Sequence, residues 1–217
     1  MSAAAIELPL FPLSSVLFPG TAAPLHIFEP RYRQMIVDCQ REGKPFGFVL
    51  VQPESEHLQE EPYPIGTIAE IRNLEQLEDG RYTLMAIGTK RFRIVSQHRE
   101  KPYLSGIVEI LDDVEEQEQD LQTMMPQATN LFQSYLNMLL EVANAADIQT
   151  ILPDEPQELS YFIAYFLDVQ EEQKQHFLEL TSTKQRLQEE VTILRREVPF
   201  MREILSKKVP DDRTMLN

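Results

Sequence analysis

The densest set of side chains able to do chemistry runs through the short segment KRFR near the middle of the chain. Lys90, Arg91 and Arg93, followed by Arg99 and Lys101 with Tyr103 beside them, cluster around the end of a strand-like stretch. Such a patch can hold phosphate, as on an RNA backbone. The competing reading is an ordinary charged sheet face, paired in part with acidic residues elsewhere. The whole chain favours the second: 20 Lys and Arg stand against 35 Asp and Glu, a net charge of −15. An acidic surface repels nucleic acid and anionic membranes.

Other chemistries find little support. The four histidines, His26, His57, His98 and His176, are scattered, with no HExxH and no Cys–His metal spacing. His26 reads as a hydrogen-bonded structural residue inside a proline-rich stretch. Cys39 falls on the apolar face of a short helix, which suits a core residue better than a nucleophile. As the single cysteine it excludes an internal disulfide and suits a reducing compartment. There is no GxSxG elbow. The seven glycines never form the loop that cradles phosphate ahead of Gly-Lys-Ser/Thr. Runs such as Glu189-Glu190 read as solvated helix faces. We therefore expect no catalytic residue, no cofactor and no metal. The N-terminus MSAAAIELPLF lacks a basic region and a long apolar core, and no run of about 18 apolar residues follows, so the expected location is cytoplasmic without a membrane span.

The elements that must position these residues begin with Leu8 to Arg33, LPLFPLSSVLFPGTAAPLHIFEPRYR. Pro9, Pro12, Pro19, Pro24 and Pro30 each fix φ and lack an N–H, which argues against a helix interior or a central strand. The stretch reads as strand, turn at Pro19-Gly20, strand and helix entry at Pro30. Leu10, Phe11, Leu13, Val16, Leu17 and Phe18 are core candidates. Glu29 with Arg31 or Arg33 could pair to orient the turn. A helix over 31–42 ends at Gly43. Strands follow at 46–51, 65–77, 82–95 and 104–111, with Asp79-Gly80 as a hairpin turn and Gly66, Gly88 and Gly106 as bends or bulges. The proline-bearing segment 52–64 is a surface loop. The result is a small, mostly antiparallel barrel with one early helix.

Beyond Leu111 the character changes. Residues 1–111 carry 11 Lys/Arg against 14 Asp/Glu, whereas 112–217 carry 9 against 21. Helical spacing dominates this second half: Leu121 to Val142, then Leu159 to Phe166, a short helix at 171–180, and Leu187, Val191, Leu194, Val198, Met201 and Leu205. Pro126 belongs either to a first turn or to a kink. The last series is heptad-like and could mediate dimerisation, but Pro199 interrupts it, and packing within a bundle of about four helices is the better reading. The expected class is α+β: a β-barrel subdomain over 1–111, a helical bundle over 112–207 and a loose tail over 208–217. Oligomeric state is left open.

Three blocks, LPLFPL, VLFPG and PLHIFEPRYR, resemble the start of the N-terminal, substrate-binding domain of Lon proteases, and most closely the short proteins made of that domain alone. IGTIAEI, AIGTKRFRI and LPDEPQELSYFIA…LELTSTKQRLQ extend the resemblance to about Lys207. It implies a PUA-like pseudo-barrel followed by a helical subdomain. Pro12, Pro19, Gly20, Phe28, Glu29, Arg31, Tyr32, Gly66 and Gly88 match the pattern and read as structural. The chain has no residues corresponding to the family's ATPase or Ser–Lys peptidase. The implied function is therefore non-enzymatic: recognition of unfolded polypeptide substrates, or of a protease or chaperone partner, in a groove lined by Phe, Leu or Met, with Met124, Met125 and Met138 as candidates. The alternative is an RNA-binding PUA-like module using Lys90, Arg91 and Arg93. An ATP-dependent peptidase is the third reading.

Overall fold

A computed structural model describes residues 5–53, 61–145 and 150–208. His57 and the tail beyond Lys208 lie outside the described residues. The chain falls into two compact units, Met1–Val114 with Leu167–Thr181, and Glu115–Phe166 with Ser182–Asn217.

The first unit is built on six strands: β1 (Ala5–Leu13), β2 (Ala22–Ile27), β3 (Phe46–Leu50), β4 (Ile65–Gln76), β5 (Tyr82–His98) and β6 (Ser105–Ile110). Their order is β2-β5-β4-β3-β1-β6, and β6 also pairs with β5, so five strands close a ring. The long β5 makes this closure possible. Its first half pairs with β2 and its second half with β6, while β4 runs along the opposite side. Helix α1 (Pro30–Glu42) buries Tyr32, Met35, Ile36 and Cys39. They join Phe11, Leu17, Phe46 and Phe48 in one apolar cluster, and Leu8, Leu10, Val49, Phe92 and Val108 form a second.

β1 departs from expectation, since despite Pro9 and Pro12 it lies between two strands. The register explains how. Residues 5–9 pair antiparallel with β6, and residues 10–13 pair parallel with β3. Each half therefore has one unpaired side, toward which a proline can present its missing N–H. The β1–β3 pair is the parallel exception in an otherwise antiparallel sheet.

Helix α4 (Glu171–Glu179) belongs to this unit although it follows the β-strands by some distance in sequence. Glu171 Oε2 accepts from Val16 N at 2.8 Å, and Gln175 Nε2 donates to the Ile65 carbonyl at 3.0 Å. The chain's second half thus supplies a helix to the barrel.

The second unit holds α2 (Glu118–Val142), α3 (Pro156–Phe166) and α5 (Thr183–Lys208). Phe132 packs against Phe162 at 5.9 Å and Phe166 at 6.2 Å between ring centres. Leu187, Val191, Leu194 and Val198 are buried within the chain. Pro126 lies well inside α2 and Pro199 inside α5, both on exposed faces, where solvent can reach the freed Gln122 and Arg195 carbonyls. Glu190, expected on a solvated face, is instead fully buried. Its 3–4 spacing from Leu187 and Leu194 puts it on the packed stripe. Arg186, one turn earlier, is also buried: it donates to Ser160 Oγ at 2.8 Å and stacks over Tyr161 at 4.2 Å. Both carboxylate oxygens of Glu190 lack a hydrogen-bond partner. Burial pushes its carboxyl well above the usual range, Glu189 adds to the shift, and Arg186 opposes it.

Candidate functional site

The cationic patch does not assemble. Arg91 is 3% exposed, and its guanidinium donates to the Leu178 carbonyl at 2.6 Å and the Leu180 carbonyl at 2.7 Å, and pairs with Asp113. These carbonyls belong to the last turn of α4 and to its C-cap residue, so Arg91 caps a helix C-terminus. Lys90 and Arg93 remain exposed. The alternative phosphate site thus loses its central cation, because the segment at 178–180 covers Arg91. Sequence inspection could not reveal this lid, since the partners lie 87 and 89 residues away.

Most family-pattern residues lie within or beside the strands and helix of the first unit. Pro12 and Tyr32 are buried. Pro19 and Gly20 form the turn before β2, with Gly20 N donating to the Gly88 carbonyl at 2.9 Å. Gly66 is buried in β4. At Gly88 a Cβ would collide with the Phe18 carbonyl, so only glycine lets the two segments touch. Glu29 precedes α1, and of its two possible partners Arg31 pairs with it, at 2.9 Å. Arg33 instead donates to the Gly80 carbonyl at 3.3 Å. Cys39 is 2% exposed, and burial, with Asp38 and Glu42 nearby, pushes its thiol up to about 12. That thiol is no nucleophile at neutral pH.

Phe28 breaks the pattern, being 61% exposed. It follows β2, whose residues alternate: Ala23, Leu25 and Ile27 face the core, while Ala22, Pro24 and His26 face outward. Across the pairing Ala22 lies beside Ile87, Pro24 beside Met85 and His26 beside Thr83. One strand further, Glu70 lies beside Ile87 and Arg72 beside Met85. The outer face of β2-β5-β4 thus carries partly exposed apolar side chains, Ile87, Met85 and Pro24 together and Phe28 beyond the polar pair His26 and Thr83, bordered by one ion pair, Arg72–Glu70 at 2.6 Å.

That border opens into a groove of about 400 Å³. Cys39, Lys44 and Pro45 form one wall, and Ile71, Arg72 and Leu74 the other. The first wall exists because α1 stops at Gly43, whose left-handed φ of 63° turns the chain, with Lys44 N donating to the Cys39 carbonyl at 3.0 Å. Lys44 pairs with Glu42 at 3.0 Å. A small cleft adjoins, where Tyr103 Oη donates to Asp38 Oδ2 at 2.8 Å and Lys101 lies 5.5 Å from the Tyr103 ring centre. Burial raises the Asp38 carboxyl, but hydrogen bonds from Tyr103 and Gln34 and the charges of Arg41 and Lys101 outweigh it, leaving Asp38 below the usual range. Desolvation and the same bond push the Tyr103 hydroxyl up.

Among the described residues no group of three or more His, Cys, Asp or Glu side chains is placed to hold a metal, and no helix is long and apolar enough to cross a membrane. In the second unit, Met138 is buried and Met124 and Met125 are half-buried.

Residues 7–196 match the family model of the ATP-dependent protease La (LON) substrate-binding domain. The chain is similar to Lon protease 2 of Myxococcus xanthus, 31% identical over 93% of this chain and 25% of that protein. It is also similar to the Lon protease of Dictyoglomus thermophilum, 27% identical over 92% of this chain and 25% of that protein. The chain therefore spans about a quarter of the length of the curated relatives it matches. Among solved structures it is similar to a Lon N-terminal domain protein from Xanthomonas campestris, with a TM-score of 0.64, 28% identity, and coverage of 85% of this chain and 96% of that one. The N-terminal domain of a Mycobacterium avium complex Lon protease shares the fold, with a TM-score of 0.66 at 16% identity, covering 87% of this chain and 98% of that one.

Proposed function

We propose that this chain, which belongs to the Lon substrate-binding domain family, recognises unfolded polypeptide through the apolar outer face of β2-β5-β4 and the groove beside it. The carrying observation is Phe28, a large apolar side chain 61% exposed on the same outer face as Pro24, Met85 and Ile87 rather than folded into the core. A largely apolar face, interrupted by His26 and Thr83 and with self-paired charges at its border, suits clients that expose hydrophobic residues. Met85, flexible and polarisable, adapts to varied side chains. The role is recognition, without bond-breaking chemistry of the chain's own.

The test is fluorescence anisotropy at physiological salt with two labelled probes, a reduced and carboxymethylated lactalbumin and an RNA of similar size. The expected result is binding of the polypeptide alone, weakened at least tenfold by Phe28→Asp or Met85→Asp in a protein with unchanged circular dichroism. Absence of polypeptide binding overturns the reading. Binding of RNA that weakens with salt would return the function to the exposed Lys90 and Arg93.

A further inference from the structure

β4 is twelve residues long, but β3 accompanies only its first part, the register ending at Phe46 opposite Ala69. From Glu70 to Gln76 the strand pairs with β5 on one side. Among the described residues, no backbone hydrogen bond outside that pairing reaches Glu70–Gln76. Its other side is therefore a free edge, with N–H and C=O groups in want of partners.

The groove lies along this edge. Glu70 and Arg72 point to the outer face, Ile71 to the core side, and all three line it. Consecutive residues on opposite faces can line one groove only if the groove views the strand from its side, where the main chain is presented. The opposite wall is where β3 would run if it began earlier, but Gly43 and Pro45 turn the chain away. The charges in and beside the groove are paired locally, Lys44 with Glu42 and Arg72 with Glu70. No unsatisfied charge calls for an ionic ligand, so the chemistry the groove lacks is main-chain hydrogen bonding with apolar cover.

We propose that an extended, uncharged segment of a client polypeptide adds to the Glu70–Gln76 edge of β4 as a further strand, in line with β3. This rests on the polypeptide-recognition reading and gives it a mode: backbone hydrogen bonds supply sequence-tolerant affinity, and alternate side chains enter the groove or lie beside Glu70 and Arg72 on the outer face. A second copy of this chain is the less suitable occupant, because two molecules each carrying −15 repel. The bulge between Arg72 and Glu75, with Asn73 at a φ of 49°, bends the edge and limits indiscriminate pairing along its length.

Two measurements on the intact chain test it, using the tightest-binding twelve-residue segment of reduced and carboxymethylated lactalbumin as the probe. First, amide hydrogen exchange is followed at residues 70–76 with and without the peptide. Alternate amides should slow at least tenfold on binding. Second, single N-methyl groups are placed along the peptide, removing one N–H at a time while keeping each side chain. Affinity should fall at least tenfold at alternate positions and little at those between. Binding insensitive to N-methylation, or unchanged exchange at 70–76, overturns the strand addition while leaving polypeptide recognition standing. Failure of every segment to bind removes both. Protection of 70–76 that grows with protein concentration in the free chain assigns the edge to a second copy and also overturns the proposal.

Discussion

Arg91→Ala would strand the Leu178 and Leu180 carbonyls and the Asp113 carboxylate inside the first unit. Breaking a buried ion pair from one side costs about 3–5 kcal/mol, so its urea midpoint should fall sharply. Arg93→Ala, at an exposed position, should stay within about 0.5 kcal/mol of the parent. Equal effects on stability would show that Arg91 is no clamp. Glu190 gives a pH signature. Its folded-state carboxyl is raised, so from about pH 4.5 upward the unfolded chain releases this proton before the folded one does. Stability linked to Glu190 is therefore fully present at lower pH and is lost as pH rises from that value. Glu190→Gln should match the parent near pH 4 and exceed it near pH 8 in denaturant titrations. A parent that gains on the variant with rising pH would reverse the sign and refute the assignment. Cys39, with its thiol pushed up to about 12, should react with a thiol reagent at pH 8 at least a hundredfold more slowly in the native protein than in urea.

At the scale of elements, Gly88→Ala forces a methyl group against the Phe18 carbonyl, and overpacking of this kind costs about 1–3 kcal/mol. The measured loss should appear in the thermal midpoint, and an unchanged midpoint would show that the β2 turn can move aside. Much of this architecture was legible in the chain. Asp79-Gly80 marked the β4–β5 hairpin and Gly43 the end of α1, because turns and caps are local events with local residue requirements. The α+β class and the early helix followed from periodicity. The candidate site was less legible. Phe28 read only as a structural residue of the family pattern, since outward and inward positions of β2 differ only in what lies across the sheet. The outer face needs a register between β2, β5 and β4, and register is a tertiary property. Arg91 and Glu190 misled for the same reason: charged side chains look solvated until their long-range neighbours are known. β1 showed that a proline rule holds residue by residue rather than strand by strand.

For the molecule as a whole, a net charge of −15 would set how polypeptide clients arrive on the proposed reading. Cationic unfolded polypeptides should bind faster and more tightly at low ionic strength, and the advantage should fade as salt rises beyond physiological levels. Neutral clients, held by apolar contact and main-chain bonds, should show little salt dependence. Titrations of two model peptides differing only in Lys-for-Gln replacements would separate these terms, and equal salt slopes would deny the field any role.

The Arg91 clamp also constrains the order of events during synthesis. β6 ends at Ile110, yet α4 begins only at Glu171, with α2 and α3 translated in between. A nascent chain with all six strands outside the ribosome still has Arg91, Val16 and the Ile65 carbonyl waiting for partners on α4. The first unit is thus completed by a late segment, and α2 and α3 must emerge before α4 can pack on the barrel. Ribosome-stalled chains long enough to release residue 115 but not Glu171 should be cut by protease within the barrel, and those long enough to release Thr181 should resist.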